Sequence, residues 1–443
     1  MPVSALAQLE AALFSALEGA THVSVAFSGG VDSSVMAYLL GRYQRLHPHC
    51  RCRLLHVHHG LSANADQWLS HCQTQARQWG IAFEGHQVTL ALGPRISIEA
   101  AARTARYQVF QQALAHNERL LTGHHQDDQA ETLLLALKRG SGPTGLAAMA
   151  VCQSLGRGTL MRPWLAFSRA TIEAAAEELG LQHITDESNQ DDRFDRNFLR
   201  NQVMPLLRAR WPSVHASISR SAQLCAEQQA LCDEIAHIDW TQCRLPAAQG
   251  LGLKLSACAD FSEPRRNNLL RYFLRQQQVV LPTFRQLQQL QQMWQARADA
   301  QPQLDWDKWS LRRYLDGLYL LPEQAPVPLT THPFGDGRLA NGQHWQWQMG
   351  VAGLRLPMDK SRLIVRYNLP GSTELHPQGR HKKRTLKKLW QEYQVPPWQR
   401  PQVAMLCQGD QVLAALGYWL EQSALCNQAE AHSGLPILMP ASC

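Results

Sequence analysis

The 443-residue sequence is sparing in charge, at 18%, and in aromatic residues, at 7%. No two of its cysteines are separated by two residues, so the CxxC unit of zinc ribbons and of many iron–sulfur or redox sites is absent. The eleven cysteines are odd in number and irregular in spacing, which predicts free thiols rather than a disulfide framework. The Walker A pattern GxxxxGK[ST] does not occur. No apolar run approaches the roughly 18 residues of a membrane span; Leu133–Leu137 is typical of the richest stretches. No Lys or Arg precedes Arg42, so the start lacks the basic flank of a secretory or mitochondrial signal, and the expected compartment is the cytoplasm. No internal repeat is found.

What is present is an ordinary globular balance, with 45% hydrophobic residues. At about 150 residues per domain, the length predicts two or three domains. Charge is informative once located. Between positions 355 and 400 lie 11 basic residues against three acidic ones, a local +8 that exceeds the +7 of the whole chain. A basic stretch on a nearly neutral protein points to a polyanionic partner.

The first 150 residues alternate strand and helix patterns. Strands are expected at 22–27, 52–59, 81–88 and 119–123, with helices opening at Asp32 and over 64–79, 97–116 and 129–140. Such alternation requires crossover connections, hence an α/β, doubly wound parallel sheet that binds ligands beyond the carboxyl ends of its strands. Helices are then expected at 171–180, 213–237, 266–277 and 284–294, the last with Leu287, Leu290 and Trp294 on one stripe. The Pro- and Gly-rich segment 322–343 reads as a linker, and the remainder as a small α+β domain. The expected domains are 1–215, 216–325 and 346–443, with 326–345 as linker.

Three clusters carry chemistry. Ser28-Gly29-Gly30-Val31-Asp32-Ser33-Ser34 follows a strand and opens a helix, a context in which glycines and free helix N–H groups cradle a phosphate. Its glycines lack the GxGxxG spacing, and in the PP-loops that it resembles the aspartate at the position of Asp32 is placed to hold magnesium. In TGHHQDDQAET (122–132), Asp128 and Glu131 are three apart and share a helix face. That string admits a metal site, simple helix-terminus electrostatics through Asp127 and Asp128, or a carboxylate pair poised to bind and deprotonate an amine. In EAAARTARY (99–107), Glu99 and Arg103 lie one turn apart and suit a surface ion pair, while Arg103 and Arg106 lie near one face and suit phosphates. In the basic stretch, Trp390, Tyr393 and Trp398 interleave with Lys387, Lys388 and Arg400, which suits RNA contact or, for the tryptophans, a core.

The glycine loop resembles the PP-loop of ATP pyrophosphatases. Together with LHVHHGLS (55–62), EAAARTARY (99–107), TGHHQDDQAET (122–132), KRGSGPTGLAAM (138–149), RPW (162–164), DESNQDDRFDRNFLR (186–200) and LKKLWQEYQVPPWQR (386–400), it occurs in the order seen in tRNA(Ile)-lysidine synthetases. His58 stands where that family usually has Asn. The resemblance implies a PP-loop domain, a helical tRNA-binding middle domain and a C-terminal tRNA-binding domain. It implies adenylation of the wobble cytidine of a CAU-anticodon isoleucine tRNA, then displacement of AMP by free lysine. ATP with magnesium is the expected co-substrate, with no permanently bound cofactor. The expected ATP-binding residues are Ser28, Gly29, Gly30, Val31, Asp32, Ser33 and Ser34. The expected catalytic residues are Asp32, Asp128, Glu131 and Arg103, with Asp128, Glu131 and His124 for lysine. For tRNA they are Arg196, Asn197, Arg200, Arg380, Lys382, Lys383, Arg384, Lys387, Lys388 and Arg400. The partners are tRNA(Ile) and free L-lysine, without a membrane; a homodimer is left open. The alternatives are a PP-loop cytidine or uridine thiolase, a small-metabolite ligase, and a non-catalytic RNA-binding protein.

Overall fold

A strand feeding a glycine turn and then a helix is the unit from which the N-terminal part is built. The protein is described by a computed structural model over residues 3–60, 64–90, 98–246, 251–297, 300–323, 332–333, 339, 344–357, 360–426, 428–429 and 433–439. It divides into two compact units, Met1–Ala236 and His237–Cys443.

The first unit opens with α1 (Ala5–Ala16), where sequence reading had placed no element; Leu9, Leu13 and Leu17 carry it into the core. Then follow β1 (His22–Ala26), α2 (Val31–Leu46), β2 (Arg51–His58), α3 (Ala65–Trp79), β3 (Ala82–Gln87), α4 (Ile98–Ala113), β4 (Arg119–Leu121) and α5 (Gln126–Lys138). The short α6 (Pro143–Leu146) leads to β5 (Cys152–Leu155), β6 (Gly158–Met161) and α7 (Arg169–Glu178). α8 (Asp195–Phe198) and α9 (Met204–Arg210) are joined through a π-helical turn at Leu199–Val203, and α10 (Val214–Cys243) follows. The sheet order is β3-β2-β1-β4-β6-β5. All pairs are parallel except β5 with β6, an antiparallel edge that the alternation did not predict.

Local chemistry accounts for these elements. Val23, Ser24 and Val25 of β1 are all buried, because a central parallel strand is covered on both faces. α3 stops at Gly80, whose φ of +69° suits a left-handed cap. The RPW motif is structural: Trp164 is fully buried with Nε1 donating to Leu9 O at 3.1 Å, and Arg162 donates to Ala150 O at 2.7 Å. Strand order reverses between β1 and β4, so the segments after those two strands flank one crevice.

The second unit carries α11 (Glu263–Gln276) and α12 (Phe284–Gln295), with Leu287, Leu290 and Met293 buried and Trp294 packed at the margin of the same core. These helices cover a four-stranded antiparallel sheet ordered Gly252–Lys254, Gly317–Pro322, Trp309–Tyr314, Gln303–Trp306, which adds strands to a region expected to be helical. Further on, Leu363–Arg366, Met405–Gln408 and Gln411–Ala415 form the centre of a five-stranded sheet beside α13 (Leu386–Glu392). Most of the expected linker 326–345 lies outside the described residues, as do Leu61, Ser62 and the side chain of Glu99. Among the described residues no helix is long and apolar enough to cross a membrane.

Candidate active site

The loop after β1 is held open by its own serines. Ser33 Oγ accepts from the Ser28 N–H at 3.2 Å and donates to Gly30 O at 3.0 Å, and Ser34 Oγ donates to Gly29 O at 3.2 Å. α2 starts at Val31, so the N–H groups of Val31, Asp32 and Ser33 have no acceptor within the helix. The two glycines do different work. Gly29 has φ +83°, and a Cβ there would stand 2.5 Å from Ile184 Cδ1 and 2.9 Å from Cys72 Sγ. Gly30 has ordinary angles and its Cβ would meet only Ser28 Oγ at 3.5 Å, so the fold itself tolerates a side chain there. That opening leaves room for an anion to approach the backbone.

The segment after β4 faces this loop. Gly123 permits the approach, since a Cβ there would lie 3.0 Å from Asp32 Cβ. α5 begins at Gln126, three residues earlier than the apolar pattern suggested, which puts Asp127 and Asp128 in its first turn. His125, 2% exposed, stands among the carboxylates: its Nε2 is 3.3 Å from Asp128 Oδ2 and 3.8 Å from Asp32 Oδ1, and its Nδ1 is 3.7 Å from Asp127 Oδ1. Burial pushes the Asp32 carboxyl above its ordinary value, with His125 opposing and Asp128 reinforcing. Asp32 Oδ1 is buried without a hydrogen-bond partner. A hard cation shared with phosphate oxygens satisfies such an oxygen. Among the described residues no group of three or more His, Cys, Asp or Glu is placed to bind an ion.

Asp128 and Glu131 share a face of α5, as their spacing required, and both are buried. Two arginines close over them. Arg196 Nε donates to Glu131 at 2.8 Å and its Nη2 to Asp128 at 3.2 Å. Arg200 Nε donates to Glu131 at 2.7 Å, and its Nη2 reaches Glu131 at 2.9 Å and Asp128 at 3.2 Å. The two guanidiniums sit one helical turn apart on the α8 and π-helical segment. Burial pushes the Asp128 carboxyl up, but His125, Arg196, His124 and Arg200 outweigh it and hold it down at about 2. His124, expected at the lysine site, donates to or accepts from Thr122 Oγ1 at 2.8 Å; burial lowers its pKa to about 3, so it is neutral.

The other expected residues fall as follows. Arg103 is exposed on α4, 5.1 Å from the centre of the Tyr107 ring, and its charge reaches His124. Arg106 donates to His59 Nε2 at 3.3 Å; burial, then Arg106, lowers the His59 pKa to about 4. His58 is buried, with Nε2 3.1 Å from Asp66 Oδ1. Asn197 donates its amide to Ser188 O at 2.7 Å and Asp191 O at 3.0 Å, fastening the loop before α8. In the second unit, Lys382, Lys383, Lys387 and Lys388 are exposed, Arg380 pairs with Glu392 at 2.9 Å, and Arg384 lies 3.8 Å from it. Arg400 donates to Val395 O at 3.0 Å. Trp390 and Trp398 are core residues, 6% and 7% exposed. Of the aromatic residues in the stretch, Tyr393 is half-buried beside Arg380.

Sequence reading missed His125 as the hub of three aspartates, and it missed Asp127, Arg169 and His215 as a group. Asp127 Oδ1 accepts from the Arg169 N–H at 3.0 Å, and its Oδ2 lies 3.4 Å from His215 Nε2. The HHQDDQAET string held the signal for the first two; nothing local marked His215.

The comparisons accord with this geometry. Residues 4–207 match the model of a PP-loop domain, 253–319 that of a TilS substrate binding domain, and 363–437 that of a TilS substrate C-terminal domain. The chain is 42% identical over 436 residues to the tRNA(Ile)-lysidine synthase of Shewanella oneidensis, covering 94% of each chain. It is 42% identical over 427 residues to that of Serratia proteamaculans, covering 94% of this chain and 95% of that one. It is 40% identical over 429 residues to that of Salmonella heidelberg, covering 95% and 98%.

Proposed function

The chain belongs to the tRNA(Ile)-lysidine synthase family, and on that premise we propose how its residues carry the reaction. It is an ATP-dependent ligase that acts on tRNA(Ile). The reading is carried by one juxtaposition: the anion-binding loop after β1 and the buried carboxylate pair of α5 meet at the reversal of strand order.

In the first step the 2-oxo oxygen of the wobble cytidine in a CAU anticodon attacks the α-phosphate of ATP, and pyrophosphate leaves. The N–H groups and hydroxyls of Ser28–Ser34 stabilise the charge that develops. Asp32 would hold a magnesium ion brought in with the co-substrate ATP, and that ion would offset charge on the phosphates. Arg103 supplies a further cation on the neighbouring helix. In the second step the ε-amine of free L-lysine attacks the activated carbon and AMP leaves. Lysine's ammonium has an ordinary pKa near about 10.4 and must be held, then deprotonated. Asp128 and Glu131 together hold the amine, and the pair takes its proton. His124, neutral, adds a hydrogen-bonding group without competing charge. For each lysine bound, its ammonium takes over contacts that Arg196 and Arg200 make with the pair.

The tRNA is proposed to lie over Arg196, Asn197 and Arg200 near the catalytic crevice and over Arg380, Lys382, Lys383, Arg384, Lys387, Lys388 and Arg400 in the second unit. The proposed functional parts are 1–215, 216–325 and 346–443, the first boundary falling early in α10 rather than at the division after Ala236, and the proposed compartment is the cytoplasm. The deciding experiment is lysine incorporation into CAU-anticodon isoleucine tRNA against elongator methionine tRNA, with tRNA-dependent ATP–pyrophosphate exchange measured alongside. Incorporation into the isoleucine tRNA alone supports the reading. Exchange without lysine incorporation overturns it in favour of another PP-loop modifier such as a thiolase.

A further inference from the structure

Glu421 is an acid of the second unit that no step of the reaction uses, and it is 5% exposed. Its partners are N–H groups: Oε2 accepts from the His376 backbone N–H at 2.7 Å, and Oε1 accepts from the Trp419 indole at 3.2 Å. His376 opens the loop His376–Lys383, which joins the antiparallel pair Glu374–Leu375 and Arg384–Thr385. Two backbone bonds tie the same stretch, Gln422 N–H to His376 O and Gln378 N–H to Leu420 O, each at 2.8 Å, and Pro377 bridges to Glu421. His376 Nε2 lies 2.7 Å from Arg380 O, which closes the loop on itself. Beyond this footing the loop is exposed and basic, with Arg380, Lys382 and Lys383. Arg380 pairs with Glu392 at 2.9 Å, which leaves Lys382 and Lys383 without an ion pair among the described residues.

We propose that Glu421 is a positioning residue for the tRNA: it fixes the base of the loop His376–Lys383, so that Lys382 and Lys383 stand at set places for phosphates. The inference rests on the reading that the tRNA lies over the basic stretch, and it names the group that holds part of that surface in shape. Burying a carboxylate is unfavourable unless hydrogen bonds offset it, so an acid at this depth is explained by the donors it collects. A backbone N–H inside the fold needs an acceptor, and a carboxylate gives the stronger, charge-assisted bond. Burial pushes the Glu421 carboxyl above its ordinary value; the bonds from His376 and Trp419 oppose it, as do the charges of His376 and Lys383. The charge of a loop lysine therefore reaches the carboxylate that anchors the loop. Without that tie, a loop with Gly379 at φ +78° and neighbouring like charges would spread over many conformations, and each phosphate contact would have to order it first.

The test is a double-mutant cycle on the full chain, with a CAU-anticodon isoleucine tRNA transcript as probe and its Kd measured over a salt series. The proteins are the wild type, Glu421→Gln, the pair Lys382→Ala with Lys383→Ala, and all three substitutions together. Glu421→Gln keeps size and one acceptor oxygen but removes the charge and the second acceptor. It should raise Kd by about tenfold, the equivalent of one charge-assisted contact, and flatten the slope of log K against log salt by roughly one to two units. With both lysines already gone, the same substitution should change Kd by less than about twofold, because it acts through them. Wild-type affinity and slope in Glu421→Gln overturn the proposal. So does an equal cost with and without the lysines, which would mean a general structural effect. If Glu421→Gln does not fold, Trp419→Phe removes one donor from the carboxylate; it should weaken binding in the same lysine-dependent way, and unchanged binding overturns the proposal. If the lysine pair itself leaves Kd and slope unchanged, the parent reading of this loop as a tRNA surface falls, and this inference with it.

Discussion

Replacing Arg200 with methionine tests whether the arginine pair holds the carboxylates of α5. The substitution keeps the methylene stem and removes three charge-assisted contacts, at 2.7 and 2.9 Å to Glu131 and 3.2 Å to Asp128. Water cannot replace them fully, since the Glu131 and Asp128 side chains are 2% and 12% exposed. Stripping one partner from a buried ion pair costs about 3–5 kcal/mol. Arg196 still contacts both carboxylates, so roughly half of that, about 2 kcal/mol, is expected. Native-state hydrogen exchange over α5 reads this locally, which matters in a chain of several domains. A loss of about 2 kcal/mol makes those amides exchange roughly 30-fold faster at pH 7. The sign with pH follows from Asp128. Its folded pKa of about 2 lies below its ordinary value, so the stability it contributes is present above that ordinary value and is lost as pH falls towards 2. The difference between wild type and Arg200→Met should therefore shrink below about pH 4. Adding Glu131→Gln should make the second loss smaller than the sum of the single ones. Exchange within threefold of wild type, or strict additivity, would refute the clamp.

Four further outcomes are expected. Asp32→Ala should abolish tRNA-dependent pyrophosphate release while circular dichroism stays native; near-normal AMP formation would remove Asp32 from the phosphate site. Gly29→Ala should destabilise the first unit by at least about 2 kcal/mol, from a left-handed backbone and the contact with Ile184, whereas Gly30→Ala should keep the fold and weaken ATP binding, read by thermal unfolding with and without ATP. His124 has a folded pKa of about 3, below its ordinary 6.5, so the unfolded chain binds more protons between those values. Stability should then fall as pH drops through 6.5, by about 2 kcal/mol at pH 5 from this residue, and His124→Asn should flatten that slope. Replacing Lys387 and Lys388 together by alanine should flatten the slope of log K for tRNA against log salt by about one to two units, and an unchanged slope would make the stretch a solvated face.

Much of the candidate crevice was legible because its signals are local. SGGVDSS combines a turn, a helix start and a carboxylate within seven residues, and a three-residue spacing places Asp128 and Glu131 on one face without any knowledge of the fold. The basic stretch was legible as charge but not as contact. Trp390 and Trp398 could be read from sequence as stacking platforms or core, and burial decided for core, because an indole brings more apolar area than a small domain can leave wet. The strands at 252–254 and 303–322 escaped notice because they are short, and the antiparallel edge β5 because it pairs through a tight return rather than a crossover.

By itself, then, the amino-acid sequence determined the alternation of elements, the glycine loop at a helix start, the carboxylate face and the family. Each rests on periodicity or on groups a few residues apart. Tertiary structure alone decided that Arg196 and Arg200, 65 to 72 residues away along the chain, hold those carboxylates, since long-range ion pairs leave no periodic trace. It also decided that His125 stands among three aspartates, and that α5, α7, α9 and α10 enclose a cavity beside them. A cavity is the space between elements, and no single element's sequence encodes its shape.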